Sequence, residues 1–388
     1  MKSLRIIIVM IEAPLPFGDA SARWLYVLLK GLIERGHQVT AFASCSNPSD
    51  IDQAQKLFAN CDLRCFLHPE RRGLGVKLET LRQPYSYVFS PELKQQLNQE
   101  LMKPFDILHL EQVWAGWLGL KYKHKAFVNV HFLHSIDRGL PQPQLWLAAQ
   151  AESRILKAYP HLITLSDRLA QAIHKIAPKS HIDILPLGID LSLYPFIESK
   201  PISDQLTVGL IGSFSWTPTF AAAERLITKL WQPIKQQFPN AKLLMVGRSA
   251  KSALAKFEDI PDLEIHENVA DAMPYFHQLD VMVYAPLVGS GMKVKVMESF
   301  ALGIPVVTAP DGVEGLPALD QVHCGVCLED DDLIKRTIEI LSNPQIAKQY
   351  RQAARQMLEV TCSPEPVLDK LEQIYQRLLI YKEDKEKC

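Results

Sequence analysis

No stretch of this 388-residue chain approaches the roughly 20 consecutive apolar residues that a bilayer-spanning helix requires. Its first apolar run, Leu4–Met10, is followed at once by Glu12 and Pro14, so it reads as a buried strand rather than a leader peptide. Cysteine is sparse and unpatterned: seven residues with scattered spacing give no disulfide framework and fit reduced thiols in a cytoplasmic protein. There is no excess of either charge, since 42 Lys and Arg stand against 43 Asp and Glu. That balance excludes a duplex nucleic-acid binder. A Gly-x-Gly-x-x-Gly fingerprint, a Walker ending in Gly-Lys-Ser/Thr and a Gly-x-Ser-x-Gly elbow are all missing. Their absence argues against a dinucleotide enzyme, a P-loop ATPase and a serine hydrolase in turn.

What is present is an ordinary globular composition, 47% apolar and 22% charged, in a chain too long for one core. Two successive series of short apolar runs alternate with longer amphipathic segments, the pattern of parallel α/β sheets. The first series comprises Leu4–Met10, Gln38–Ala43, Asp106–Leu110, Ala126–His131, Leu162–Leu165 and Ile182–Leu185. The second comprises Leu206–Ile211, Lys242–Val246, Leu263–His266, Val281–Tyr284, Pro305–Thr308 and Gly325–Leu328. Unbroken runs such as Ile6–Met10 imply sheets covered on both faces. The join falls around Pro186–Asp204, which predicts domains at residues 1–190 and 205–362, with 363–388 as a final helix long enough to cross the boundary. Charge is divided between the halves. Residues 1–195 hold 22 Lys and Arg against 17 Asp and Glu, and the remainder 20 against 26. A mildly basic first half suits an anionic acceptor or an anionic lipid surface, although ordinary scatter explains it equally well.

The most informative stretch runs from Pro286 to Thr308. Gly289, Ser290 and Gly291 form a small-residue loop expected to open a helix that stops at Gly303. Free backbone N–H groups at such a helix start can seat a diphosphate. Lys295 and Glu298 share a helix face, placing a cation and an acceptor beside that anion site. This suits a nucleotide, with its phosphates on the helix end and lysine and its ribose hydroxyls on the carboxylate.

Ligands of open parallel sheets lie beyond the carboxyl ends of the strands, so the loops there supply the other candidates. Gly18 and Arg23 follow the first strand, where the segment reads equally as a plain turn capped by Asp19 or Ser21. His131 ends the strand Ala126–His131 and is assigned a site role, with His134 and Asp137 just after it. His109 and Glu111 read as structural. Gly212 and Ser213 let backbone approach a phosphate, and Arg248 can pair with a phosphate or rim a base pocket. Asp50 with Asp52, Asp330–Asp332 and the lone Cys324/Cys327 pair are better explained as helix starts and isolated thiols than as metal ligands. No metal is expected.

Together these residues resemble the GT-B-fold glycosyltransferases, specifically the large retaining family numbered four. The resemblance runs from the first strand and the Gly18 loop through Gly36–Thr40, Leu185–Asp190, Gly212–Trp216 and Pro239–Arg248 to the Gly289–Glu298 stretch. It is nearest to the branch with Gly-Ser-x-x-Trp and Gly-x-Gly-x-x-x-Lys-Val-x-Glu.

The resemblance implies two Rossmann-like, doubly wound domains facing a cleft, with the last helix returning to the first domain. It further implies metal-independent transfer, with retention, from a UDP- or GDP-linked sugar to a glycan, lipid-linked or other acceptor, without a cofactor. Gly18, Gly212, Ser213, Arg248, Ser290, Gly291, Met292, Lys293 and Glu298 would bind the donor, with Glu298 on the ribose. His131 and Lys295 would be catalytic, and Arg23 and Asp137 would lie on the acceptor side. A cytoplasmic protein, peripheral on the inner membrane face through its first domain, fits this picture. The chain departs from the family in three places. Ser290 stands where a glutamate often precedes Glu298 by eight residues, while Phe214 and Thr217-Pro218 replace an Arg and a Lys. Lys295, with Lys293 or Arg248, substitutes for that pair. A sugar-nucleotide epimerase and a non-catalytic binding relative are the alternative readings.

Overall fold

A computed structural model of the chain describes residues 3–70, 79, 80, 82–137, 142–198, 205–287, 289 and 291–386. The chain divides into two compact units. The first contains Met1–Ser135, Gly139–Asp190 and Cys362–Cys388, and the second contains Leu191–Thr361 together with Ile136–Arg138.

The first unit is built on seven strands: β1 Arg5–Met10, β2 Gln38–Cys45, β3 Asp62–Leu67, β4 Ile107–Glu111, β5 Ala126–Val130, β6 His161–Thr164 and β7 His181–Ile184. They pair in parallel in the order β3-β2-β1-β4-β5-β6-β7. Ile6, Ile7, Ile8, Val9 and Met10 are all buried, as a sheet covered on both faces demands. Each such aliphatic side chain contributes roughly 1.5–3 kcal/mol by leaving water. Edge strand β3 is absent from the runs expected above. Its Asp62-Leu-Arg-Cys-Phe-Leu67 sequence mixes charge with apolar residues, and only Leu63 and Phe66 are buried.

Helix α1, Ala20–Glu34, buries Trp24, Leu25, Leu28 and Leu32 and stops at Gly36, which takes φ 81°. The last helix of the chain, Pro364–Glu386, packs on α1 and belongs to this unit. Gly31 permits the contact, because a Cβ there would lie 2.1 Å from Leu368 Cδ1. Arg35 pairs with Asp369 at 2.6 Å and His37 with Glu372 at 2.9 Å to complete the seam.

The second unit has six strands: β8 Thr207–Ile211, β9 Lys242–Gly247, β10 Leu263–Glu267, β11 Val281–Tyr284, β12 Val306–Thr308 and β13 Gly325–Val326. Their order is β10-β9-β8-β11-β12-β13, again parallel. Three more helices matter below: α2 Thr217–Arg225, α3 Val294–Leu302 and α4 Pro344–Thr361. The last helix, Pro364–Glu386, is α5. In each sheet the strand order reverses beside its first strand, between β1 and β4 and between β8 and β11. Those reversals are where an open α/β sheet leaves a crevice for a ligand. Among the described residues, no helix is long and apolar enough to cross a membrane.

Candidate functional site

In the second unit the crevice is made mostly of backbone. The Gly212 N–H donates to the Val246 carbonyl, and the Phe214 N–H to the Arg248 carbonyl, both at 2.9 Å, tying the loop after β8 to the end of β9. Gly247, at φ 144°, lies so near that a Cβ would sit 1.8 Å from the Gly212 oxygen. No other residue fits there. Beyond β11, Gly289 takes φ 133° and packs on the start of α2, where a Cβ would lie 3.2 Å from Pro218 Cγ. Gly291 is left-handed at φ 77°, and Met292 and Lys293 are buried. The Lys293 ammonium donates to the Gly291 carbonyl. Ser290 lies outside the described residues.

Helix α3 begins at Val294, with extended Lys293 as its N-cap, and not directly after Gly291 as expected. The left-handed glycine and the extended lysine carry the chain through a turn before helical geometry sets in. The helix-start N–H groups therefore belong to Val294 and its neighbours, and Met292 sits in the loop before them.

Lys295 is the centre of this crevice. Its half-buried side chain crosses Gly212, where a Cβ would lie 2.6 Å from Lys295 Cε. The ammonium donates to the Thr219 hydroxyl at 3.1 Å and stands 4.5 Å from the centroid of the Tyr284 ring. Thr219 is in the first turn of α2 and Tyr284 ends β11, so one cation touches both sides of the β8/β11 reversal. Burial, and then the charge of Lys293, pull its pKa down to about 7 against the opposing charge of Glu298. Glu298 is buried and accepts from the Tyr194 hydroxyl at 3.2 Å. Arg355 of α4 fixes that corner by donating to the carbonyls of Tyr194 at 2.9 Å and Ala301 at 2.7 Å.

The structure thus gathers Gly212, Lys293 and Lys295 with Gly289 at one reversal, with Glu298 a turn deeper. Ser213 lies in the same loop, its hydroxyl 2.9 Å from that of Ser215. Arg248 reaches the site through its carbonyl, and its side chain is exposed.

In the first unit, Gly18 is exposed at φ 90° in the loop before α1, Asp19 is the N-cap, and half-buried Arg23 donates its N–H to the Asp19 carbonyl at 3.2 Å. Asp137, which falls in the second unit, is buried at the end of the short helix His134–Asp137. His131 follows β5 directly, and its Nε2 lies 2.8 Å from Glu111 Oε2. Glu111 ends β4 at the β1/β4 reversal and is fully buried. Burial opposes its ionisation, but the charges of His109 and His131, and the hydrogen bond from His109, hold its carboxyl well below the usual carboxylate range.

His109 and Glu111, read from the sequence as structural, are both fully buried in this cluster. Two residues apart on one strand, they point to the same face.

Comparison with known proteins bears on both units. Residues 21–193 match the family model described as Glycosyltransferase Family 4, and residues 205–343 match the one described as Glycosyl transferases group 1. No curated protein matches the chain by sequence. Among solved structures, sucrose-phosphate synthase from Thermosynechococcus elongatus superposes with a TM-score of 0.75 at 16% identity, covering 97% of this chain and 99% of that one. Anabaena HepE, in complex with UDP-glucose, gives 0.67 at 13% identity, covering 96% and 99%. S. aureus TarM, as a mutant in complex with fondaparinux, alpha-GlcNAc-glycerol and UDP, gives 0.67 at 10% identity, covering 96% and 99%. Two glycosyltransferase models in tandem, laid over two parallel α/β units whose structural neighbours are GT-B enzymes, identify this chain as a GT-B-type glycosyltransferase.

Proposed function

We propose that the protein transfers a hexosyl group, with retention and without a metal, from a UDP- or GDP-linked sugar to a glycan or lipid-linked acceptor. The observation that carries the donor half of this reading is the position of Lys295 at the β8/β11 reversal, held by a hydroxyl and a ring rather than by a carboxylate. As the glycosidic bond breaks, negative charge grows on the leaving diphosphate. The α3 N-terminus, Lys295 and Lys293 stabilise it in place of a divalent cation. The loop glycines 212 and 291, with Ser213 and Met292, give backbone access to the phosphates; Ser290 and Gly18 are also assigned to the donor. Glu298 takes the ribose hydroxyls, and Arg248 rims the base. His131 meets the transferred sugar or its β-phosphate. Arg23 and Asp137 are assigned to the acceptor, and the mildly basic first half favours an anionic one held at the inner membrane face.

A screen of UDP- and GDP-linked sugars for thermal stabilisation tests this reading. A donor bound at a hundred times its Kd raises apparent stability by about 2.7 kcal/mol. If no nucleotide sugar shifts the melting temperature, the donor assignment fails.

A further inference from the structure

The first unit holds a carboxylate that no step above uses. Glu111 is fully buried, and four nitrogen groups surround its two oxygens. His109 Nε2 lies 2.5 Å and Asn129 Nδ2 3.1 Å from Oε1, while His131 Nε2 lies 2.8 Å and Trp24 Nε1 3.2 Å from Oε2. His109 turns its other nitrogen, Nδ1, to the Tyr375 hydroxyl of α5 at 2.8 Å.

A neutral imidazole carries one proton on one of its two nitrogens. A lone pair on Nε2 at this distance from a carboxylate oxygen is repulsive, whereas a proton there is attractive. The His131 N–H is not well aligned with Oε2, so the contact acts through charge more than through a directed hydrogen bond. Charge alone still decides the tautomer.

We propose that Glu111 is a positioning residue that keeps the proton of neutral His131 on Nε2, so that Nδ1 is the ring atom offered to the substrate. A neutral Nδ1 accepts from a sugar hydroxyl. Once protonated it donates to a phosphate oxygen. The same logic orders His109, whose Nδ1 is left to accept from Tyr375, so a side chain of the last helix braces the carboxylate that sets the site histidine. The titratable groups facing this cluster are His109 on β4, His131 after β5, and Tyr375 and Glu372 on α5. The inference rests on the site role of His131 given above, and its test separates the two.

Nitrogen-15 NMR of the full chain labelled at histidine reads the tautomer directly. Neutral His131 protonated on Nε2 is the expected result, and a proton on Nδ1 overturns the proposal. Glu111→Gln keeps the side-chain volume and removes the charge. It is expected to lower the proton affinity of His131 by about tenfold, one pKa unit, and to move the pH profile of UDP release from UDP-glucose with it. Loss of stability alone would lower that rate without moving the profile. An unchanged His131 titration in Glu111→Gln overturns the coupling. Normal UDP release by His131→Ala overturns the functional half, whatever the tautomer proves to be.

Discussion

The two strand reversals of this molecule handle charge in opposite ways. At β1/β4 the one carboxylate is fully surrounded: Glu111 is buried with two imidazoles, an indole N–H and an amide around it. At β8/β11 the cation Lys295 leans on a hydroxyl and an aromatic face and has a second cation, Lys293, for a neighbour. Burial and that like charge disfavour the Lys295 cation, against the opposing charge of Glu298, until an anion arrives. A carboxylate ringed by nitrogen groups serves geometry. A cation held by a hydroxyl and a ring, with a like charge beside it, is poised for an anion.

Glu111→Ala should test the first half of that contrast most severely. Removing one partner of a buried ion cluster costs roughly 3–5 kcal/mol, so urea unfolding should show a loss of that size, and a loss under about 1 kcal/mol would show the cluster to be incidental. Lys295→Ala should do the reverse. Turnover should fall about a hundredfold to a thousandfold, the usual effect of deleting a preorganised donor, while the unfolding midpoint barely moves. Near-normal turnover would remove Lys295 from the mechanism. Glu298→Gln should weaken UDP binding by about tenfold to a hundredfold in a calorimetric titration, matching loss of a hydrogen bond to a charged group. Equal affinity would free Glu298 from the ribose. Gly212→Ala places a methyl 2.6 Å from Lys295 Cε, and the flexible lysine can yield. The expected outcome is a rate lower by about tenfold, near 1.4 kcal/mol, with little change in stability.

The smallest effect concerns pH. Lys295 has its folded pKa lowered from 10.5 to about 7, so between those values the unfolded chain binds more protons than the native one. Stability without ligand should therefore rise with pH across that window, and the cation should be lost from the site above about 7. UDP affinity should decline over the same range in the wild type and stay flat in Lys295→Ala. A flat wild-type profile would place the lysine elsewhere.

Both parallel sheets were legible because their central strands are unbroken apolar runs, which have few alternatives to a doubly covered sheet. Strand β3 was not, because an edge strand tolerates Asp62 and Arg64 where a central one cannot. The position of Lys295 was legible from its spacing within the Gly289–Glu298 stretch, but its contacts with Thr219 and Tyr284 join segments distant in sequence. Nothing local encodes them. The start of α3 was misplaced because loop glycines usually end where a helix begins, whereas here extended Lys293 intervenes. His109 and Glu111 looked structural because their meaning depends on His131 and Tyr375, one from the next strand and one from the far end of the chain.

That last dependence reaches into synthesis. The first unit takes in Cys362–Cys388, so a nascent chain on the ribosome that has emitted residue 190 still lacks the helix covering α1 and the phenol bracing His109. Roughly 185 further residues must follow before Tyr375 is made, on the order of ten to forty seconds at ordinary elongation rates. Through that interval the unfinished half exposes the apolar groove where Leu368 will lie against Gly31, and the second unit can fold before the first is closed.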